Sequence, residues 1–556
     1  PPVPEAAAAR RPNIVFFITD DQDQMLGSSF PSVPDISGTP LPKTRRLLVE
    51  QGATFRHFFA HVPICNPSRS TTLTGRYFHN LRTTGTVWAQ MHVATDAVHN
   101  FTVARRLKDA AGGPYATGLF GKYLNAMPPG TRAPPGWDAW LANGGGDYVA
   151  PAFVVGGTDY VFQNVSNATW QGTADDYTTA VVGNASVAWI RKVRRRAPTT
   201  PFFAYVAPKA AHEPFDPAPW YRDAWDPAWS SVERRGPAWN ASFAQRRDHG
   251  SNVPTQPVLT AQAAAVVSGI WRNRWRTLMS VDDVVEAVHA ACDPASTYFF
   301  YTSDHGFQLG HLNMLMDKRH AYDWDVRIPL VVKGPGIAAG ALVDAVATNV
   351  DLAPTFLDLA GIFATSSGGE QRSSRQQLET TPIDGKSLAP LLFVTEEEDS
   401  SPARLRRTWR TSVPIEYFFN DNNTKCVANC TSVEDDEYPA ADASCADLST
   451  TPNRDCWGAG CNEECYPTES LENNFIALRR IDGRDDNLLY VAYETGNQTA
   501  ENLTFAAPTF VELFDVARDD PWMLQNLATQ PASAPRRAAL HAELMAWFHC
   551  AGAACP

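Results

Sequence analysis

Apolar residues gather first at Asn13–Thr19 (NIVFFIT), a continuous β-rich run that stops at Asp20-Asp21. A run that is apolar throughout, rather than at alternate positions, predicts a strand buried on both faces, as in a parallel sheet covered by helices. Phe202–Ala207 (FFAYVA) repeats the pattern and leads into Pro208 and His212. Residues 298–303 (YFFYTS) repeat it again and end at Asp304-His305, and Leu330–Lys333 is a shorter fourth case. Between these runs the apolar positions take helical spacing, as at 281–291 (VDDVVEAVHAA). Strands alternating with helices predict an α/β fold with a parallel sheet. In such sheets the site lies beyond the carboxyl ends of the strands, where the polar residues named here fall.

The pattern changes further on. Residues 364–381 (ATSSGGEQRSSRQQLETT) are poor in apolar positions and read as a loop, and 396–401 begin another polar stretch. Beyond Trp409, segments 415–419, 475–481 and 488–493 read as strands of a smaller antiparallel sheet, and 536–549 as a closing helix. A boundary near residue 400 divides a large domain, 1–400, from a smaller one, 401–556. The chain shows no internal repeat.

The length of 556 residues fits two domains, and 44% hydrophobic residues is ordinary for a globular protein. No apolar run approaches the roughly 20 residues of a membrane span. The opening PPVPEAAAAR reads as a mature N-terminus after signal removal, or as a fragment boundary. A net charge of -13 disfavours nucleic acid and anionic membranes as partners. An anionic substrate would be drawn in only by local cations.

Of ten cysteines, Cys426, Cys430, Cys445, Cys456, Cys461 and Cys465 cluster within 420–466, and Cys550 and Cys555 sit at the end. That crowding fits disulfides in an oxidising compartment better than a zinc knuckle, whose C-x2-C pairs are missing. Nine N-x-S/T sequons, at Asn100, Asn164, Asn167, Asn184, Asn240, Asn422, Asn429, Asn497 and Asn502, agree with the secretory pathway. The expected location is extracellular, periplasmic, cell-wall or lysosomal.

The segment from Cys65 to Arg76 reads C-N-P-S-R-S-T-T-L-T-G-R. It resembles the signature of the type I, formylglycine-dependent sulfatases at every fixed position. The competing reading is a disulfide cysteine in a Pro-rich loop. The resemblance implies an alkaline-phosphatase-like sandwich, a mostly parallel mixed sheet with a smaller C-terminal antiparallel one, and conversion of Cys65 by a formylglycine-generating enzyme. A serine or cysteine attacking a sulfate ester would leave a stable sulfo-enzyme. A hydrated aldehyde attacks through one hydroxyl and expels sulfate through the other.

Adjacent carboxylates at Asp20-Asp21, and Asp304-His305 at another strand end, are costly to bury unless a cation lies between them. Alone, an Asp-Asp pair reads as a helix cap or turn. In the resembling family these positions, with Cys65, bind Ca²⁺, and Mg²⁺ or Mn²⁺ suits the same oxygen donors. Many sulfatases carry Asn where His305 stands. The family's cations match Arg69, Lys122 of G-K-Y-L-N, and Lys318 ahead of Tyr322, Val326, Arg327 and Pro329. His212 matches the histidine of the family's P-H-x-P. For the lysines the competing reading is a solvated surface charge, and for His212 a structural histidine. His212 and Lys318 would contact the leaving oxygen, and either could donate its proton. Many members read G-K-W-H where this chain has Leu124, and Asn125 takes part of that histidine's role. His61 and His311 lie near motif segments as possible pocket residues.

The G-K-Y-L-N segment, the opening Arg11-Pro12-Asn13 and the Leu278–Asp283 stretch resemble the branch holding N-acetylglucosamine-6-sulfatases, heparan endosulfatases and algal arylsulfatases. Glu512-Leu513-Phe514-Asp515 resembles the family's carboxyl-terminal E-L-Y-D. The expected substrate is a small sulfated sugar or an aryl sulfate. The rivals are a phosphate or phosphonate monoester hydrolase, and a glycan-binding homologue without catalysis.

Overall fold

The computed structural model describes residues 11–24, 39–82, 98–108, 114–125, 132–157, 168–224, 236–251, 253–256, 261–314, 316–362, 382–393, 409–418, 472–482, 487–496, 503–516 and 522–556. The opening decapeptide, the loop at 364–381, the boundary near 400, the cysteine-rich stretch and six of the nine sequons lie outside these residues.

The strands in chain order are β1 Asn13–Thr19, β2 Ala53–Phe59, β3 Ala116–Lys122, β4 Ala139–Asn143, β5 Ala152–Gly156, β6 Ala168–Gln171, β7 Phe202–Ala207, β8 Thr297–Ser303, β9 Gln308–Leu309, β10 Met316–Asp317, β11 Leu330–Lys333, β12 Ala341–Thr348, β13 Ser412–Tyr417, β14 Phe475–Ile481, β15 Asn487–Tyr493 and β16 Phe510–Asp515. Ten of them form one mixed sheet in the order β12-β2-β11-β8-β1-β7-β3-β4-β5-β6. β1 lies at its centre, parallel to β7 and to β8, with Phe16 beside Tyr205 and Phe300. β3 runs parallel to β7 and β4.

The continuous apolar runs follow from cover on both faces. Ile14, Phe16 and Ile18 pack with Leu73, Phe356 and Leu357 on one side. Val15 and Phe17 pack on the other with Val182, Trp189, Trp275 and Val285 of the helices Thr178–Arg196 and Ala261–Ala291. The pleat sends alternate side chains to opposite helical layers. The helical spacing at 281–291 is the last part of the second of these, 31 residues long.

β11 departs from expectation. It pairs antiparallel with both β8 and β2. Burial sets an apolar run and says nothing of direction, so its pattern matches a parallel strand. The smaller sheet, β13-β14-β15-β16, is antiparallel throughout. Its fourth strand carries Glu512–Asp515, read beforehand only as a motif. The closing helix Ala534–Phe548 buries Leu540, Leu544 and Trp547 against this sheet, and a Cys550–Cys555 disulfide follows. Cys292 is free and buried.

Candidate active site

The parallel strands β8, β1, β7 and β3 lie in that order, and the residues at the ends of β8, β1 and β3 supply charged groups. Asp20 and Asp21 follow β1, Asp304 and His305 follow β8, and Lys122 closes β3. All five are buried. The Asp20 amide donates to the Ala210 carbonyl at 2.9 Å, and the Ala211 amide to the Asp20 carbonyl at 2.6 Å. The chain then turns at Asp21 through a positive φ of 60°, so that neighbouring carboxylates both reach the strand ends.

Cys65 begins the helix Cys65–Thr74, which Gly75 ends in the left-handed region at φ 69°. Arg69 is four residues on and shares the helix face of Cys65. Its Nε donates to Asp304 Oδ2 at 2.9 Å, its Nη1 to the Lys122 carbonyl at 3.0 Å, and its Nη2 lies 3.6 Å from Asp20 Oδ1. Cys65 Sγ stands 3.6 Å from Asp20 Oδ1 and 3.2 Å from His305 Nε2. His305 Nδ1 is 2.9 Å from the Gly306 carbonyl, which turns Nε2 toward the cluster.

Each cation has its own carboxylate. Besides the Arg69–Asp304 pair, Lys122 Nζ is 2.5 Å from Asp20 Oδ2, and Lys318 Nζ is 2.8 and 3.0 Å from the two oxygens of Asp21. Burial would raise the Asp20 carboxyl, but Lys122, His212, Arg69 and Lys318 outweigh it and hold it well below the usual range. Asp21 is likewise opposed by burial yet drawn down to about 2, chiefly by Lys318. For Asp304 burial wins over Arg69, and the carboxyl is raised. Burial also pushes the Cys65 thiol up to about 12. As a plain thiol it stays protonated and is a poor nucleophile.

His212 sits at the edge, its Nε2 3.9 Å from Asp21 Oδ2 and its Nδ1 2.9 Å from the Glu213 carbonyl. Burial holds it neutral, lowered to about 3. Asn125 is exposed just past β3. His61 turns away from the site to Pro414 and Glu416, and His311 stacks on Trp324 at 4.7 Å.

Two buried residues escaped sequence reasoning. Asn349 donates through Nδ2 to the Ser68 carbonyl and to the hydroxyls of Ser68, Thr71 and Thr72 within 2.9–3.1 Å, and so anchors the helix Cys65–Thr74. Arg274 donates to the Asp21 carbonyl. Neither stands in a motif. A single Asn after a strand and an Arg inside a helix carry no signal of their own.

Ligand atoms of Asp20, Cys65, Asp304 and His305 lie within 4.8 Å of one another, as do those of Asp20, Asp21, Cys65 and His212. Converging carboxylate oxygens suit a hard divalent cation, and the raised Asp304 carboxyl marks a place where positive charge would be stabilising.

Buried carboxylates, a helix-borne side chain at position 65 and three cations, gathered beyond the strand ends of a mixed sheet, define a hydrolase of the alkaline-phosphatase-like class. The chain belongs to the sulfatase family: residues 12–362 match the family described as Sulfatase, and residues 312–441 match N-sulphoglucosamine sulphohydrolase, C-terminal. It is similar to the human N-acetylglucosamine-6-sulfatase, 27% identical over 94% of this chain and 82% of that one. It is 32% identical to a Drosophila melanogaster extracellular sulfatase SULF-1 homolog over 74% of this chain and 33% of that one. An arylsulfatase of Volvox carteri is 28% identical over 69% of this chain and 61% of its own length. A solved structure in complex with its substrate, D-glucosamine-2-N,6-O-disulfate, superposes with a TM-score of 0.60 at 20% identity, covering 96% of this chain and 97% of that one. The phosphonate monoester hydrolase from Silicibacter pomeroyi shares the fold with a TM-score of 0.56 at 18% identity, covering 96% of this chain and 94% of its own. The protein is a sulfuric ester hydrolase.

Proposed function

We propose that the chain hydrolyses the 6-sulfate ester of a glucosamine-type sugar, with Cys65 oxidised to formylglycine as its nucleophile. The observation that carries this is the placement of Cys65 Sγ, 3.6 Å from Asp20 and 3.2 Å from His305, at the focus of Arg69, Lys122 and Lys318. The hydrated aldehyde forms a bond to sulfur through one oxygen as the ester S–O bond breaks. The second hydroxyl, once deprotonated, restores the aldehyde and expels sulfate. Arg69 orients position 65 from one helical turn away. Lys122 and Lys318 hold the sulfate oxygens, and the Lys318 ammonium gives its proton to the departing alkoxide. His212 keeps its place at the edge as a neutral ring that lines the leaving-group side.

Asp20, Asp21, Asp304 and His305 would hold a divalent cation, Ca²⁺ on this donor set, which supplies Lewis-acid polarisation of a sulfate oxygen. A formylglycine-generating enzyme is the maturation partner. The sugar preference rests on the N-acetylglucosamine-6-sulfatase relatives, and aryl sulfates serve as artificial substrates. Secretion is supported by the extracellular relatives, by the sequons, whose described asparagines 100, 184 and 240 are all exposed, and by the disulfide. No helix among the described residues is long and apolar enough to cross a membrane.

The test combines peptide mass spectrometry with turnover. Conversion replaces the Cys65 sulfur by oxygen with loss of two hydrogens. Aryl sulfate should be cleaved well ahead of aryl phosphate, and chelation should abolish the activity until Ca²⁺ is restored. An intact thiol in the active protein, or phosphatase activity in excess, would overturn the proposal.

A further inference from the structure

Lys209 is a buried cation without a carboxylate of its own. It is 8% exposed, its ammonium donates to the Gly146 carbonyl, and it lies 5.0 Å from the centre of the Tyr148 ring. Among the described residues no carboxylate is within ion-pair reach of it. Asp20, Asp147 and Glu213 act on it only from longer range, and burial, with Lys122, pushes its pKa down. Arg69, Lys122 and Lys318 each have an acid in contact, so Lys209 is the exception in this wall. An ammonium has three donors, and a carbonyl and a ring face do not replace its hydration.

Its position ties it to the site. The Lys209 carbonyl accepts from the His212 amide at 3.0 Å, and the next residue, Ala210, accepts from the amide of Asp20 at 2.9 Å. The Tyr148 hydroxyl donates to the His212 carbonyl at 2.7 Å. Across the wall, a Cβ on Gly145 would stand 4.0 Å from Lys122 Cε, while the adjacent Gly146 is the acceptor of Lys209. Lys122 and Lys209 therefore flank one glycine loop, whose Gly146 and Asp147 are exposed.

We propose that Lys209 is a specificity-determining residue that binds a second anionic group, a sulfate or a carboxylate, on the sugar whose sulfate ester is cleaved. The inference rests on the sulfatase reading above. An anion exchanges a neutral carbonyl partner for a charge-assisted one. It also gives an acidic protein of net charge -13 a local reason to retain a dianionic ligand.

The experiment measures kcat and KM of the metal-loaded enzyme and of Lys209→Met on three esters. These are glucosamine 6-sulfate, glucosamine-2-N,6-O-disulfate, and a disaccharide joining a uronate to glucosamine 6-sulfate. The wild type should prefer at least one dianion about tenfold in kcat/KM, mainly through KM, and the variant should lose that preference. A preference for the disulfate identifies a sulfate as the second group, and one for the disaccharide a carboxylate. The melting temperature of the ligand-free variant should hold or rise, because a buried unpaired charge has been removed. No preference for either dianion overturns the inference, as does a uniform loss on all three esters with a lowered melting temperature, which is the mark of a structural lysine. A wild type that turns over none of these esters and no aryl sulfate removes the sulfatase reading itself, and the inference with it.

Discussion

Lys318 and His212 both stand beside Asp21, but they differ in what they can give. Lys318 brings an ammonium in contact with both carboxylate oxygens, whereas burial keeps His212 neutral with Nδ1 committed to the Glu213 carbonyl. Lys318→Ala should therefore lower kcat on the order of 10²–10³ for poor leaving groups and far less for a nitrophenyl sulfate. A plot of rate against leaving-group pKa checks this, and parallel lines for variant and wild type would sink the acid role. Cys65→Ala should abolish turnover while the denaturation midpoint moves little, since the truncation removes only the small polar end of one side chain from a polar pocket. Residual turnover above background would exclude position 65 as nucleophile. The motif from Cys65 to Arg76 made Cys65 and Arg69 legible, because the two positions meet on one helical face wherever that helix forms, whereas Lys318 and His212 were read from segments of their own.

At the scale of elements, the site depends on strand ends meeting a helix start. The runs at Asn13–Thr19 and Phe202–Ala207 were readable to the residue, because burial on both faces leaves no polar position inside them. Which strands lie side by side was not readable, since β1 pairs with β7 and β8, far away along the chain. Asn349 shows the same limit. It reaches the helix of Cys65 over more than 270 residues, and its Oδ1 accepts the His61 amide at 2.9 Å. Asn349→Ala orphans that amide and takes a donor from the Ser68 hydroxyl, while the Ser68 carbonyl keeps the hydroxyls of Thr71 and Thr72. The expected loss is about 2 kcal/mol of stability together with a lowered kcat, although Asn349 touches no substrate. Denaturant titration and steady-state kinetics check it, and an unchanged kcat would mean that the helix is held well enough without this anchor.

At the scale of the whole molecule, a second charged cluster joins the two sheets. Glu416 of β13 takes His61 Nε2 at 2.5 Å and His79 Nδ1 at 2.8 Å on one oxygen, and His79 Nε2 meets the Cys550 carbonyl at 3.0 Å. Burial opposes the charges here, but His79 is raised above its ordinary 6.5 by Glu416, and Glu416 is lowered below its ordinary 4.5 by His79 and His61. The stability from a raised histidine is present in full below pH 6.5 and is lost as pH climbs through its folded value. That from a lowered carboxylate is present above 4.5 and is lost as pH falls through its folded value. The contribution is thus complete between these two values. Glu416→Gln should cost about 3 kcal/mol in that window and less on either side. Melting curves of both proteins across pH check this, and a pH-independent difference would refute it.

Residue order alone specified the class of chemistry, the buried strands and the presence of a second, antiparallel sheet. Each of these is written in neighbouring residues: a twelve-residue signature, an apolar run, and the short strand-like segments beyond Trp409. Tertiary structure alone decided the direction of β11, the carboxylate partners of Arg69, Lys122 and Lys318, the service of Asn349, and, among the described residues, the lack of a carboxylate in contact with Lys209. These are matters of distance between segments remote in sequence. The burial of Lys209 becomes visible only when the segment after β7 meets the Gly146 carbonyl and the Tyr148 ring of the loop after β4.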